Sequence, residues 1–333
     1  MRWIVARACR GQQGRGALCS RNWTWWTHRD TSARVKPLLE FVPNFSNGKD
    51  QAVIDSIVAA MTAVPGVICL GSELDGSHNR AVVTLAGAAD AVAEAAFVGA
   101  GAAMDKIDLR NHVGEHKRMG AMDVCPFVPL GNATMQDAID TARAVAKRIG
   151  DELSLPVFLY AEACQREDRR KLGNFRNKQF EGLMDLVGTD PDYAPDFGPA
   201  KMHNTAGALA VGARTFLIAY NINLATEDVQ IAKDIAKAVR EKDGGFAKVQ
   251  GMGFSLEDKS QSQVSMNLLD YNVTSIRKVF DKVAELAAAK GVEIAESELI
   301  GLAPAAAIDS ELATHIKLPN FDPNEQIVEA KLG

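Results

Sequence analysis

The amino-acid sequence predicts an α+β protein built from two βαββαβ-like subdomains, each a mixed sheet with helices on its outer face. Three observations lead to this class. Apolar runs of strand length alternate with helical patterns, some of these runs follow each other without a helix between them, and the order β-α-β-β-α-β occurs twice. Directly connected strands separate this order from a doubly wound parallel sheet.

The first subdomain is predicted to span residues 37–212. Apolar runs predict strands at residues 38–42, 67–70, 81–85, 124–130 and 155–160. Apolar residues at helical spacing predict helices over residues 53–61 and 89–104, and a third from Thr134. Thr134 and Asp137 have the spacing of a capping box. The polar residues 73–80 predict a loop.

The second subdomain is predicted to span residues 213–311. Its predicted strands are residues 215–224, 246–256, 263–269 and 299–302, and its predicted helices are residues 229–242 and a segment from Thr274 to Lys290. Thr274 is the predicted N-cap. Gly251-Met252-Gly253 indicates a bulge or a close approach of the backbone to a ligand. Residues 312–333 are predicted to be a polar tail, with a short helix from Glu325.

Charge divides the chain unevenly. The first 36 of the 333 residues carry eight basic residues, one acid and all four Trp, and the remaining residues have a net charge of −12. A body this acidic disfavours generic nucleic-acid binding. The five Cys are widely spaced without a CxxC pair, which disfavours a disulfide framework or a Cys-based zinc site.

Residues 1–36 form a basic leader. They are rich in Arg, Ser and Thr, and Arg7, Arg10 and Arg15 interrupt every apolar stretch that a secretory signal would need. This composition is typical of a transit peptide, so we expect localisation in the mitochondrion. The alternatives are a disordered leader without an address, which leaves a cytoplasmic protein, and an extension upstream of the true start.

The densest polar segment, residues 105–123, is the first candidate for catalytic groups. His112-Val113-Gly114-Glu115-His116 matches an inverted zinc motif, in which two His bind zinc and the Glu acts as a base. That motif requires a helix through Gly114, whereas this segment is predicted to be a loop. The other interpretations are a single His that acts as general acid and base, and a structural His bound to backbone groups.

The same segment resembles the signature of the glutamate formimidoyltransferase family. The strongest similarity is carried by residues 114–127, Gly-Glu-His-Lys-Arg-Met-Gly-Ala-Met-Asp-Val-Cys-Pro-Phe. Further similar blocks, in the family's order, are Glu40–Ser46, Asn79-Arg80, Leu159–Ala163, Ala194–Pro199, Phe216–Leu224, Val249–Gly253 and Asn267–Tyr271. The resemblance covers about residues 38–308, so the leader, the tail and any cyclodeaminase region lie outside it.

The resemblance implies that folate binds in a crevice between the packed sheets of the two subdomains. The family's catalytic His falls on His116. The family's folate contacts fall on Gly198, Pro199, Ala200, Lys201, Met202, His203, Asn204, Thr205, Ala206 and Gly207, and on Gly244, Gly245, Phe246 and Ala247. The sequence departs from the family where Lys117 replaces a Pro, where the first stretch lacks a Trp, and where the second stretch lacks basic residues.

Formimidoyl transfer fits these residue types. The attacking folate nitrogen loses a proton and the departing glutamate nitrogen gains one, so a single His serves both steps. Because the amidine is cationic near neutral pH, carboxylates should stabilise its tetrahedral intermediate. The supporting candidates are the carboxylates Asp75, Glu115 and Asp123, with Glu73 behind them, and Asn79, Arg80 and Arg118, of which the two Arg would bind substrate carboxylates.

A basic cluster at residues 166–178 has two interpretations. It is either a docking strip for the glutamate tail of folate or a solvated helix face paired with Glu167 and Asp168. The second interpretation is the favoured one.

The resemblance therefore implies transfer of a formimidoyl group from N-formimino-L-glutamate to N5 of tetrahydrofolate, in histidine degradation and one-carbon metabolism. The products would be 5-formimidoyltetrahydrofolate and L-glutamate. Tetrahydrofolate is the expected co-substrate, without a metal. A homodimer and a separate cyclodeaminase are the expected partners, with no nucleic acid or membrane. The alternatives are formyl transfer from N-formylglutamate or 5-formyltetrahydrofolate, and folate binding without catalysis.

Overall fold

The structure is a computed structural model that describes residues 36–76, 79–114, 117–256 and 259–332. Residues 1–35 of the leader lie outside the described residues, and so do Glu115 and His116. From Lys36 onward the chain forms one compact body. The predicted bounds at residues 212 and 311 stay predictions.

The first part of the chain contains every predicted element and adds four more. In chain order the elements are β1 (Leu38–Phe41), β2 (Asn44–Phe45), α1 (Gln51–Thr62), β3 (Val67–Asp75), β4 (Arg80–Ala88), α2 (Ala89–Lys106), β5 (Met122–Leu130), α3 (Met135–Glu152), β6 (Val157–Ala161), α4 (Gly173–Arg176), α5 (Gln179–Leu186) and β7 (Leu209–Ala213). The additions are β2, α4, α5 and β7. The capping box of α3 is confirmed, because Thr134 and Asp137 each accept the other's backbone N–H.

The second part of the chain, residues 218–332, is called the second unit below; it repeats the βαββαβ order and continues into short helices. Its elements are β8 (Ile218–Leu224), α6 (Val229–Val239), β9 (Val249–Leu256), β10 (Gln261–Leu268), α7 (Ile276–Ala289), β11 (Ile294–Ile300), α8 (Ser310–His315), α9 (Pro323–Gln326) and α10 (Val328–Leu332). Ser275 caps α7 in place of Thr274, whose hydroxyl instead donates to the Ala247 carbonyl at 2.8 Å.

The first sheet is mixed, as predicted, and has the order β3-β4-β1/β2-β5-β7-β6. β1 and β2 both pair with β4 and β5, so they occupy one strand position that Pro43 interrupts. β5, β7 and β6 are parallel neighbours, whereas the other pairs are antiparallel.

The second sheet has the order β11-β8-β10-β9, and all of its neighbouring pairs are antiparallel. The prediction of a mixed second sheet is therefore wrong. The crossover through α6 makes β8 and β9 parallel, but β10 lies between them. The crossover through α7 makes β10 and β11 parallel, but β8 lies between them. The α+β class with two sheets is confirmed.

Helices cover one face of each sheet. α1, α2 and α3 share a hydrophobic cluster with the first sheet, and α6 and α7 share one with the second. Ala86, Val128 and Leu130 project from the other face of the first sheet and belong to the second cluster. The face of the first sheet without helices is therefore directed towards the second unit, and the helices lie outside, as predicted.

Two local predictions differ from the structure. The loop predicted over residues 73–80 is shorter, because β3 continues to Asp75 and β4 begins at Arg80, with these two residues paired. β3 is an edge strand, where polar side chains remain solvated and do not prevent pairing. The close approach predicted at residues 251–253 is made to α6, since a Cβ on Gly253 would lie 2.4 Å from the backbone nitrogen of Lys233.

Residues 312–332 pack against the second sheet and its helices, where the prediction was a polar tail, and α9 and α10 stand where a short helix was predicted from Glu325. Leu318, Ile327 and Val328 are buried in its cluster. The backbone N–H of Ala303 donates to Gln326, and that of Val328 donates to Ala303. Among the described residues, no helix is both long enough and apolar enough to cross a membrane.

Candidate active site

A crevice of about 710 Å³ lies between the two sheets. The side chains that line it include Glu40, Val42, Asn44, Val82 and Thr84 from the first sheet, and Phe216, Leu217, Ala219, Asn267 and Leu302 from the second unit. Because side chains alternate along a strand, Leu39 and Phe41 contact the helices while Glu40 faces the crevice. The crevice is thus lined by the strand positions that alternate with the core positions, and these carry both polar and apolar side chains.

The predicted catalytic residue His116 and its neighbour Glu115 lie outside the described residues, but the residues on either side of them are held by hydrogen bonds. Val113 accepts through its carbonyl from Asn79 Nδ2 at 3.0 Å and from Lys49 Nζ at 3.3 Å. On the other side, Lys117 Nζ donates to Asn177 Oδ1 at 3.0 Å. The segment expected to carry the chemistry is therefore fixed at both of its described ends.

Asn79 joins three segments at this end of the crevice. Its side-chain oxygen accepts from the Gly48 backbone N–H at 2.9 Å, and its carbonyl accepts from His112 Nε2 at 2.9 Å. Asn79 has a φ of 51°, a conformation that Asn tolerates better than most residues. Gly48 is required for the close packing, since a Cβ there would lie 2.2 Å from the Asp75 carbonyl oxygen.

His112 is a structural residue in this arrangement. Arg118 Nε donates to His112 Nδ1 at 3.1 Å, and a guanidinium nitrogen is always a donor. The Nδ1 atom must therefore accept, which leaves the proton on Nε2 for the Asn79 carbonyl. Both ring nitrogens are occupied, so the zinc motif has no free nitrogen on His112. Among the described residues, no group of His, Cys, Asp and Glu is suited to hold a metal ion.

Arg118 is bound to a partner that the sequence did not reveal. Its two terminal nitrogens donate to both carboxylate oxygens of Glu181, at 2.8 and 2.5 Å. The bidentate hydrogen bonds from Arg118 lower the pKa of the Glu181 carboxyl. The Arg118 side chain is only 10% exposed, so this pair fixes α5 against the segment that carries His116. A role of Arg118 in binding substrate carboxylates stays a prediction.

Asp123 is likewise paired. One of its oxygens accepts from the Met119 backbone N–H at 2.7 Å, and the other accepts from Arg176 Nε at 2.8 Å. Arg176 lines the crevice together with Arg80 and Glu73. Burial lowers the pKa of Arg80, and the positive charge of Arg176 lowers it further. Two guanidinium groups therefore meet at the end of the crevice nearest Asn79.

Of the remaining predicted carboxylates, Asp75 lies beside this end. It contacts a second, smaller recess of about 410 Å³, to which Glu73 and Arg80 also contribute. Asp75, Asn79, Arg80 and Asp123 are thus brought together at one end of the crevice, together with the described ends of the segment around His116. Their roles in the reaction stay predictions.

The first predicted folate stretch, residues 198–207, contacts this segment only at its far end. Gly207 packs against Gly120, and a Cβ on Gly120 would lie 1.9 Å from the Ala208 carbonyl oxygen. The Ala121 backbone N–H donates to Ala206 at 2.9 Å. Residues 198–201 are exposed, and residues 198–207 do not line the crevice between the sheets. Their contact with folate stays a prediction.

The second predicted folate stretch, residues 244–247, lies in the turn between α6 and β9. Gly244 has a φ of 91°, and Gly245 packs so closely that a Cβ would lie 2.4 Å from Val239. This turn also does not line the crevice. The carbonyl of Lys248, the next residue in the chain, accepts from the Leu269 backbone N–H at 2.8 Å.

The basic cluster at residues 166–178 does not act as one strip. Arg166 and Arg170 form exposed ion pairs with Asp168 and Glu167, as the favoured interpretation predicted. Arg169 is buried, with its guanidinium 2.7 Å from Asp196. Arg176 reaches the crevice. A sequence pattern cannot distinguish the exposed, buried and crevice-lining Arg residues of this cluster, because their surroundings depend on tertiary contacts.

Glu40 is the residue of the crevice that sequence reasoning missed as a functional group. Its side chain is 4% exposed, and burial raises its pKa to about 7, an effect that Glu329 strengthens and Arg214 opposes. The signal was present in the sequence, since a Glu alternates there with Leu39 and Phe41 in a strand otherwise apolar. A charge at such a position faces a cavity or a partner.

Comparisons with known proteins place these features in a family. Residues 38–214 match the formiminotransferase domain, N-terminal subdomain, and residues 219–326 match the formiminotransferase domain. The chain is 43% identical to a glutamate formimidoyltransferase of Streptococcus pyogenes serotype M1, over 89% of this chain and 98% of that protein. It is 44% identical to the glutamate formimidoyltransferase of Thermoplasma acidophilum, over 89% of this chain and 97% of that protein.

The chain is also similar to an animal protein with a longer chain. It is 41% identical to the formimidoyltransferase-cyclodeaminase of Rattus norvegicus, over 89% of this chain and 60% of that protein.

Glu40 is predicted to make stability pH-dependent. Its pKa of about 7 exceeds the ordinary value of 4.5, so the folded state favours the protonated form. The free energy of unfolding should fall by about 3 kcal/mol as pH rises from below 4.5 through 7. Urea unfolding of wild type and Glu40→Gln at pH 5 and pH 8 measures this: the variant should gain stability relative to wild type at pH 8. An equal difference at both pH values would contradict it.

Proposed function

The chain belongs to the formiminotransferase family, and we propose that it transfers the formimidoyl group of N-formimino-L-glutamate to N5 of tetrahydrofolate. The products are 5-formimidoyltetrahydrofolate and L-glutamate. The observation that carries the proposal is the match to two glutamate formimidoyltransferases over 97% or more of their lengths. The crevice adds support, because it offers both cationic and anionic groups to substrates that contain carboxylates and an amidine.

We assign the proton transfers to His116. The folate nitrogen attacks the amidine carbon while His116 accepts its proton, and the C–N bond to glutamate then breaks as the same imidazole returns a proton to the leaving nitrogen. Both substrates must remain in line with the imidazole through two steps. The hydrogen bonds of Val113 and Lys117, which flank Glu115 and His116 in the chain, support this role, since they hold the described neighbours of His116 in place.

The charged side chains near Asn79 divide between the two parts of the donor. Arg80 and Arg176, which line the same end of the crevice, are suited to the carboxylates of formiminoglutamate. Glu73 and Asp75 are suited to the cationic amidine and to the intermediate that keeps its positive character. Asp123 acts on Arg176, which it orients through a buried ion pair.

Three further proposals concern the surroundings of the enzyme. We propose that residues 1–36 direct it to the mitochondrion, which fusion of this segment to a fluorescent reporter tests. We propose a homodimer, which sedimentation tests. We also propose that a cyclodeaminase uses the product. The formimidoyltransferase-cyclodeaminase of Rattus norvegicus, whose name joins the two activities, supports this order.

The reaction itself is the first prediction. Purified protein should consume tetrahydrofolate when N-formimino-L-glutamate is present, and much more slowly with N-formyl-L-glutamate, because the anionic groups of the crevice favour a cationic amidine over a neutral carbonyl. Absorbance of the folate product after acid treatment, together with glutamate release, measures both reactions. Faster transfer from N-formyl-L-glutamate would show that the donor is a formyl compound. Binding of tetrahydrofolate without turnover of either donor would show that the protein binds folate but does not catalyse transfer.

His116→Ala should lower the rate of transfer by roughly 10²-fold or more, the usual contribution of a general acid–base group. His315→Ala is the matched control. His315 lies on α8, its Nε2 is 2.7 Å from an Asp281 carboxylate oxygen, and neither residue lines the crevice. That variant should keep the wild-type rate. Unchanged turnover in His116→Ala, with both variants folded by circular dichroism, would show that another group moves the protons.

A further inference from the structure

Glu40 is a buried carboxyl group without a hydrogen-bond donor among the described residues, and its side chain faces the crevice. It lies on β1 opposite Ala86 of β4 and Val128 of β5, whose side chains pack between the two sheets. A buried carboxylate that receives no hydrogen bond from the protein is costly. The position therefore suits a ligand that supplies donors.

The groups around Glu40 restrict the kind of ligand. The charge of Arg214 acts directly on Glu40, and Arg214 is fixed by its backbone N–H to Phe127 and by its Nη1 to Thr215 at 3.0 Å. Tyr160 and Phe216, 7% and 6% exposed, line the same crevice. The crevice lining thus combines one carboxyl that is unpaired among the described residues, a guanidinium that acts on it and two largely buried aromatic rings.

Each polar group of the two substrates can be compared with that combination. A carboxylate would be bound by Arg214 but repelled by Glu40. An amidinium would be bound by Glu40 but repelled by Arg214. The 2-amino-4-oxopyrimidine edge of a pterin presents two N–H donors beside one carbonyl acceptor, which matches a carboxylate beside a guanidinium. A flat neutral ring also fits between apolar and aromatic side chains.

We propose that Glu40 accepts hydrogen bonds from N3–H and the 2-amino group of the tetrahydrofolate pterin, and that Arg214 donates to its 4-oxo group. The assignment rests on the proposed function, since it names how one substrate of that reaction is held. It also places N5, which is peri to the 4-oxo group, on the side of the ring system that faces Arg214.

Binding of 5-formyltetrahydrofolate, a stable folate with an intact pyrimidine edge, tests the assignment by calorimetry. Glu40→Gln should weaken binding by 10- to 100-fold, because an amide presents an N–H group to two ligand donors. Glu325→Gln is the matched control: it removes one carboxylate from the crevice lining, but Glu325 is paired with Lys331 at 2.6 Å. That variant should bind within about twofold of wild type.

A second probe identifies the edge that is bound. The 2-desamino-2-methyl analogue of 5-formyltetrahydrofolate has a methyl group in place of the 2-amino group. Wild type should bind it at least tenfold more weakly than the parent, whereas Glu40→Gln should distinguish the two by less than threefold, as a double-mutant cycle requires of two groups in contact. Equal discrimination by both proteins would place the 2-amino group elsewhere and overturn the proposal.

Proton release gives a readout that a merely structural role of Glu40 would not change. Glu40 must ionise to accept both hydrogen bonds, in the field of Arg214, Glu329 and the crevice residues Glu325, Lys331 and Arg176. At pH 6, calorimetry in buffers of different ionisation enthalpy should show release of close to one proton per folate bound by wild type, and none in Glu40→Gln. The same release in both proteins would contradict the proposal.

The outcomes separate this inference from the proposed function. Wild type that transfers formimidoyl groups while Glu40→Gln binds folate normally would refute the role of Glu40 alone. Wild type that binds the pterin through Glu40 but transfers nothing from formiminoglutamate would refute the function alone. Glu40→Gln should fold, because it replaces a carboxyl that burial already drives towards its neutral form. If it does not fold, Glu40→Asp, which keeps the charge but shortens the side chain, should also weaken binding at least tenfold.

Discussion

The first sheet is covered on both faces, and this constraint determines where the chemistry of the protein can lie. One face is sealed by α1, α2 and α3, and the other is opposed by the second unit. Side chains alternate between these faces, so the strands of the first sheet other than β7 contribute to the core and to the crevice in turn. Ala86, Val128 and Leu130 close one part of the contact between sheets, and polar positions such as Glu40 and Asn44 remain along the other.

Burial between the sheets then alters the behaviour of the charged groups. Removal from water favours the neutral form of both acids and bases, which raises the pKa of Glu40 and lowers that of Arg80. Two charged groups close in the chain to His116 are instead stabilised by ion pairs. Asp123 is paired with Arg176, and Arg118 with Glu181, so these charges hold the architecture of one end of the crevice. Glu40, in contrast, has no such partner among the described residues.

The segment around His116 depends on close backbone contacts as much as on charge. Gly48 lets the turn after β2 approach the β3–β4 hairpin, and Gly120 lets the start of β5 approach residue 208. Asn79 uses both its side chain and its carbonyl to hold neighbouring segments. These contacts bring residues from four separate parts of the chain to one end of the crevice.

The sequence by itself determined the α+β class, the order of most elements, the capping box at Thr134 and the family, because these depend on local spacing and on motifs contiguous in the chain. It could not determine that the second sheet is antiparallel, that β7 lies between β5 and β6, or that residues 312–332 pack into the second cluster. Strand neighbours and tail packing depend on contacts between distant residues. The same reason applies to the site. Asn79, Arg80 and Asp123 were candidates from their motifs, but the partners Glu181 and Arg176, and the isolation of Glu40 beside Arg214, were decided only when the two sheets packed together and removed these side chains from water.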